Sequence, residues 1–149
     1  MKKLFPFLQP KILPTDSLKV RAQKGDVDAQ FELAESYYKA EYDNIDYKKA
    51  CYWYMCAALQ GHSKAQFILG TFYYIGQQVR RSPKRAFDWF KKGAMQGEPH
   101  CQYRLGVMYE TGDGIKQDLK KSEYWYKKAS LQAHGDAEVS LKNLQKKDA

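Results

Sequence analysis

The sequence predicts an all-α fold, a right-handed α-solenoid of about eight stacked antiparallel helices, and three observations predict it. Residue types recur every 36 positions with no insertion, the apolar residues of each copy fall at helical spacing, and a glycine interrupts the pattern once per copy. The register is dense. Gly25, Gly61 and Gly97 align with Ala133; Ala29, Ala65, Cys101 and Ala137 follow, then Leu33, Leu69, Leu105 and Leu141. Further along each copy stand Tyr37, Tyr73 and Tyr109, then Ala50, Ala86 and Ser122, then Trp53, Trp89 and Trp125. Tyr54, Phe90 and Tyr126 come next, and Gln60, Gln96 and Gln132 close the units.

Each unit reads as two helices. Leu33, Ala34 and Tyr37 share one helical face, and Ala50, Trp53, Tyr54 and Ala57 share another. This places a first helix from about Val27 to Lys39 and a second from about Asp46 to Gln60, each second helix being stopped by a glycine. In the third copy Gly112-Asp113-Gly114-Ile115 supplies the turn between helices, its glycines being free to take positive φ. Small residues alternate with large ones: Ala57-Ala58 and Gly93-Ala94 accompany Trp53 and Trp89, so an indole ring is expected to fill the gap that a neighbouring helix leaves.

Such a unit cannot bury its apolar face alone, so the copies must stack. The expected organisation is a flexible N-terminal arm over residues 1–14, containing Pro6, Pro10 and Pro14, and a repeat domain over 15–149. The domain opens with a half repeat at 15–24, with Asp16 as its cap and Ala22 in register with Ala58. Repeats 25–60, 61–96 and 97–132 follow, and a capping helix occupies 133–149. There Lys142 replaces the small residues Ala34, Gly70 and Gly106, as suits a last helix facing water.

Composition narrows the class. With 149 residues, 44% of them hydrophobic and 28% charged, the chain has the length of one domain and enough apolar side chains for a core. Disordered, collagen-like and mucin-like classes are excluded. No apolar run is long enough to span a bilayer, and the stretch from Leu4 to Leu8, broken by Pro6, is too short for an export signal, so a cytoplasmic location is expected. Cys51, Cys56 and Cys101 are odd in number and lack C-x-x-C spacing; they indicate neither a disulfide framework nor a zinc site, and each reads as a small buried hydrophobe.

No catalytic residue, metal or cofactor is predicted, and the chain reads as a non-enzyme. His62, His100 and His134 read as turn residues, about one repeat from each other and therefore too far apart to share a metal ion. His100 and Cys101 are sequence neighbours on a helix, so they point to different faces and do not form a nucleophile–base pair. Gly112-Asp113-Gly114 follows no strand and precedes no Lys-Ser/Thr pair, which argues against a phosphate loop.

The repeat pattern A-x-x-x-L-G-x-x-Y…G-x-G-[IV]-x-x-D…A-x-x-W-[YF]-x-x-[AG]-A-x-x-G appears most fully in the third copy. It is carried there by Leu105-Gly106, Tyr109, Gly112, Gly114-Ile115, Asp118, Trp125-Tyr126 and Ala129. The second copy keeps Leu69-Gly70, Tyr73, Gly76, Val79, Ala86, Trp89-Phe90, Gly93-Ala94 and Gly97, with Gln78 and Ser82 in place of the second glycine and the aspartate. The first copy departs furthest, with Ala34 for glycine and Ala40 and Tyr42 in place of the loop glycines. Over residues 16–147 the chain resembles the Sel1-like repeat, a relative of the tetratricopeptide repeat.

That resemblance implies a non-enzymatic adaptor or scaffold, bacterial in type, that grips a protein or peptide partner. Some small bacterial members neutralise secreted toxins, so an immunity role is one expectation. First helices would line a concave groove, here Phe31, Glu35 and Tyr38, then Phe67, Thr71 and Tyr74, then Tyr103, Val107 and Glu110. Tyr38 and Tyr74 are expected to be the most exposed, whereas Phe31, Phe67 and Tyr103 serve packing equally well. A monomer is favoured, and the proline-containing arm is one candidate occupant of the groove.

Charge supports a second surface. Residues 1–60 carry 9 basic and 8 acidic side chains, whereas residues 61–149 carry 16 and 9. The excess lies in Lys84-Arg85, Lys91-Lys92, Lys120-Lys121 and Lys127-Lys128 of the second helices, with Arg80-Arg81 in the loop between. The resemblance implies that second helices line the outer, convex side, where these residues would form a basic ridge. It serves either solubility or an anionic partner: an acidic protein, a membrane surface or nucleic acid. Neither an aromatic-interleaved single-strand groove nor a helix-turn-helix signature supports nucleic acid.

Overall fold

Each glycine break of the sequence is a sharp backbone turn in the structure: Gly25, Gly61 and Gly97 have φ of 93°, 97° and 90°, and Ala133, at the same repeat position, has φ of 60°. The structure, a computed structural model, describes residues 14–39 and 45–147. Among them run eight helices and no strand: α1 (Pro14–Gln23), α2 (Val27–Tyr38), α3 (Tyr47–Leu59), α4 (Ser63–Ile75), α5 (Pro83–Met95), α6 (Pro99–Thr111), α7 (Leu119–Ser130) and α8 (Gly135–Lys147). Consecutive helices make the principal contacts, from α1 on α2 to α7 on α8. That is the contact pattern of an α-solenoid, in which each unit touches only its neighbours.

The arrangement is a half unit, three whole pairs and a closing helix. α1 begins at Pro14, so Pro14 belongs to the helix and Asp16 lies within the first turn, not at the cap. Of the expected arm over 1–14, residues 1–13 lie outside the described residues, as do residues 40–44 of the inter-helix loop of the first repeat.

Helix starts are capped by short polar side chains. Asp26, Asp46, Ser82 and Asp118 accept from the backbone N–H groups of Ala29, Lys49, Arg85 and Lys121. Each such cap contributes about 1 kcal/mol. At the other end of α4 and α6, Gly76 and Gly112 turn the chain in left-handed geometry. In the second repeat Gln78, at φ 60°, takes the conformation that Gly114 supplies in the third.

The core is a set of rows running along the solenoid. Ala29, Ala65, Cys101 and Ala137 are fully buried, and Leu33, Leu69 and Leu105 lie beside them. The aromatic side chains that fill this core are Tyr54, Phe90 and Tyr126; Trp53, Trp89 and Trp125, expected to do so, are only half-buried. The reason is a one-residue step around the helix: Tyr54, Phe90 and Tyr126 face the first helix of their own pair, and the indole before each is turned away from it by about a third of a turn. Trp53 packs against both the α1–α2 cluster and the main core.

A ladder of glutamines stitches the units together. Gln30 donates to the Ala22 carbonyl and accepts from Gln60. Gln66 does the same with Ala58 and Gln96, and Gln102 with Ala94 and Gln132. Gln30, Gln66 and Gln102 are buried, so every rung satisfies polar atoms that water cannot reach.

Candidate functional site

The first helices of successive pairs form one side of the solenoid, and this side is hollow. A cavity of about 460 Å³ is lined by Phe31, Glu35, Lys64, Phe67, Ile68, Glu98, Pro99 and His100. A second, of about 270 Å³, adjoins it through the shared residues Glu35, Phe67 and Ile68 and adds Tyr38, Lys39, Thr71, Ile75 and Gln77. Together they make a groove across α2, α4 and the start of α6. Its floor is aromatic and aliphatic, and its rims are polar.

Helical spacing creates this floor. Phe67, Thr71 and Ile75 recur at intervals of four on α4, with Ile68 beside them. The aromatic walls are held from behind: Phe31 leans on Tyr54 and stacks on His62 at 4.2 Å, and Phe67 leans on Phe90 and on His100 at 5.2 Å. Tyr103 repeats the arrangement with Tyr126 and His134, the latter at 4.6 Å. Tyr54 donates a hydrogen bond to Glu35 at 3.1 Å, fixing that carboxylate at the junction of the two cavities, where Lys39 also pairs with it. Burial, reinforced by Glu35, pushes the Tyr54 phenol far up, so it remains a donor.

Of the residues expected in the groove, Phe31, Glu35, Tyr38, Phe67 and Thr71 come together there. Tyr74, Tyr103, Val107 and Glu110 do not line it. Tyr103 and Val107 pack with Leu141 against Ala137 and Leu144 of α8, which covers the third repeat as the next unit would. Glu110 accepts from the Tyr126 hydroxyl at 2.7 Å. Tyr74 lies beneath Arg81, and burial together with Asp113 raises its phenol pKa. Neither Tyr38 nor Tyr74 is as exposed as expected: both are half-buried, Tyr38 among Tyr47, Tyr54 and Phe72. The expectation missed Ile68, Ile75, Lys64, Glu98 and His100. Ile68 replaces Glu32 of the first copy and Arg104 of the third, so a search for recurring residues passes over it.

The histidines correct a second expectation. His100 Nδ1 lies 3.1 Å from His134 Nε2, because the helix starts of adjoining units stack one above the other. His62 and His134 are helix caps, accepting at Nδ1 from Ala65 at 3.2 Å and Ala137 at 3.4 Å. A neutral His134 that accepts at Nδ1 carries its proton on Nε2 and therefore donates to His100. Burial lowers the pKa of both His62 and His134, and the neighbouring His100 lowers that of His134 further. Cys101 beside this pair is no nucleophile: burial and Glu98 push its thiol far up, away from the reactive thiolate. Among the described residues no group of three or more His, Cys, Asp or Glu side chains is placed to hold a metal ion.

On the second-helix side every residue of the expected ridge is exposed: Arg80, Arg81, Lys84, Arg85, Lys91, Lys92, Lys120, Lys121, Lys127 and Lys128. Some are already engaged. Arg81 pairs with Asp113 at 3.2 Å and Lys121 with Asp118 at 3.1 Å, while Lys92 lies over Trp89 and Lys128 over Trp125.

Stacked helix pairs with a lined groove on one side define the class, a helical-repeat protein. The particular family follows from comparison with known proteins. The Sel1 repeat family matches residues 27–62, 63–98 and 99–134, and the chain belongs to that family. A Sel1 repeat protein from Oxalobacter formigenes is 35% identical over 85% of this chain and 96% of its own, with a TM-score of 0.79. The protective antigen c5321 of uropathogenic Escherichia coli, which displays an SLR fold, is 34% identical over 86% of this chain and 27% of its own, with a TM-score of 0.80. Helicobacter pylori cysteine rich protein B, 22% identical over 84% of this chain and 95% of its own, shares the fold with a TM-score of 0.64. No curated protein sequence matches. Sel1-like repeat proteins are in general scaffolds for protein interaction.

Proposed function

We propose that this chain is a non-enzymatic adaptor that holds one segment of a protein partner in the groove across α2, α4 and α6. The observation that carries the reading is the continuity of the two cavities through Glu35, Phe67 and Ile68. A partner's apolar side chains would displace water from Phe31, Phe67, Ile68 and Ile75, and its polar groups would meet Lys39, Lys64 and His100 at the rims. Because the aromatic walls are already braced by Tyr54, Phe90, His62 and His100, little side-chain freedom is lost on binding. Neutralisation of a toxin is one specialised form of the same act, a partner held in this groove.

The test is a block of the groove that spares the core. Thr71→Trp directs an indole into the smaller cavity from a half-buried position. In affinity capture from the native cell with mass spectrometry, partners held by the wild-type chain should be lost from this variant while its helical circular dichroism is unchanged. Equal capture by both proteins would refute the groove.

A further inference from the structure

The C-terminal ends of α3, α5 and α7 carry Leu59, Met95 and the cap residue Leu131, which are 68%, 73% and 78% exposed. They occupy one repeat position, 36 residues apart, where the Sel1-like pattern demands no residue type. A solvent-facing position without a packing role ordinarily takes a polar residue, so three large apolar side chains in a row need another explanation. Tyr52 and Tyr124, also exposed, lie seven residues earlier on the same stripes of α3 and α7. Lys91 and Lys92 precede Met95 by one helical turn, and Lys127 and Lys128 precede Leu131 likewise, all four exposed. Asp88 is the one carboxylate of α5, and Glu123, the one of α7, is held by Gln145.

We propose that this second-helix face docks on an anionic lipid surface, with Leu59, Met95 and Leu131 entering the headgroup boundary and Lys91, Lys92, Lys127 and Lys128 meeting the lipid phosphates. This surface is separate from the groove, which opens on the first-helix side. Three features favour lipid over an acidic protein. The apolar side chains form a line along the ends of three helices, the form suited to shallow insertion at a bilayer boundary. The flanking cations are all lysines, whose point charges suit a diffuse anionic field; bidentate recognition of protein carboxylates favours arginine. Lysine stems also lie along apolar surface: the Lys92 and Lys128 ammonium groups rest over Trp89 and Trp125, from which their exposed, flexible stems let them turn to the lipid phosphates, so the two residue types act on one layer of lipid.

Sedimentation of the full chain with vesicles tests the proposal. Phosphatidylcholine vesicles containing roughly one-third phosphatidylglycerol should pellet the protein at low salt, and vesicles of phosphatidylcholine alone should not. Replacing Lys91, Lys92, Lys127 and Lys128 together by Gln should abolish binding. Leu59→Ser with Met95→Ser and Leu131→Ser should weaken binding by about tenfold or more while salt sensitivity persists. All these positions are exposed, so thermal midpoints should match the wild type. Thr71→Trp should bind vesicles normally, which separates failure here from failure of the groove. No binding to anionic vesicles, or undiminished binding by the serine variant, would overturn the proposal. Binding to soluble polyglutamate without binding to vesicles would overturn it in favour of an acidic protein. Self-association of the wild type that the serine variant abolishes, without vesicle binding, would assign the row to a second copy of the chain.

Discussion

The Tyr126 ring lies so close over Gly106 that a Cβ at that glycine would stand 2.4 Å from Tyr126 Cδ1. Gly70 and Phe90 repeat the relationship at 2.6 Å. Gly106→Ala and Gly70→Ala should each destabilise the fold by about 1–3 kcal/mol through overpacking, read as a lower urea midpoint. Gly135 meets nothing within 4 Å and has no positive φ, so Gly135→Ala should leave the midpoint unchanged or raise it slightly. Equal behaviour of Gly106 and Gly135 would contradict the close approach.

Gln66 donates to the Ala58 carbonyl and accepts from Gln96 at 2.8 Å, so Gln66→Leu leaves both partners short of a bond. The expected loss is about 1–3 kcal/mol, measured by urea unfolding. A double-mutant cycle with Gln96→Ala should show coupling of about 1 kcal/mol. Additive effects would mean that the Gln66–Gln96 bond contributes nothing to stability.

Acid should weaken the protein in two separate windows. His62 and His134 are held below the ordinary histidine value of 6.5 in the fold, so on acidification the unfolded chain takes up its protons first. The stability they contribute is complete above about 6.5 and is lost as pH falls through the lowered native values. Asp28 and Lys64 face His62, and His100, Asp136 and Glu98 face His134. Asp26, Asp46, Asp118 and Glu138 are also held low, but their contribution is lost only at more acidic pH, below the ordinary carboxylate range. Thermal midpoints should therefore drop between about pH 7 and about pH 5, and His62→Asn with His134→Asn, which keeps a capping side chain that does not titrate, should flatten that drop.

Thiol labelling should discriminate among the cysteines. Cys101 is fully buried and its thiol is pushed far up, whereas Cys51 and Cys56 are half-buried. Iodoacetamide on the native chain, followed by peptide mass mapping, should leave Cys101 unmodified until the protein unfolds. Early alkylation of Cys101 would show that the α5–α6 seam opens readily.

The 36-residue register, the helix pairs and the glycine breaks were legible because each follows from local chemistry: apolar spacing, capping side chains and a Cβ-free turn. Position alone did not reveal which member of each Trp-aromatic pair enters the core, since neighbours on a helix differ by about a third of a turn and either fits the pattern. The glutamine rungs were half visible, in Gln60, Gln96 and Gln132. Their partners Gln30, Gln66 and Gln102 recur as faithfully, but their role appears only when two helices meet.

Repetition in the chain dictated a stacked array of helix pairs, because amphipathic units of identical register have one economical way to bury their apolar sides. Stacking then decided matters that no single unit encodes. It brought His100 and His134 within hydrogen-bond distance from separate repeats, laid α8 over Tyr103 and Val107, and left Phe67 and Ile68 open between α2 and α6. Those outcomes depend on the rotation and offset between successive units, which the packed side chains of neighbouring helices set jointly.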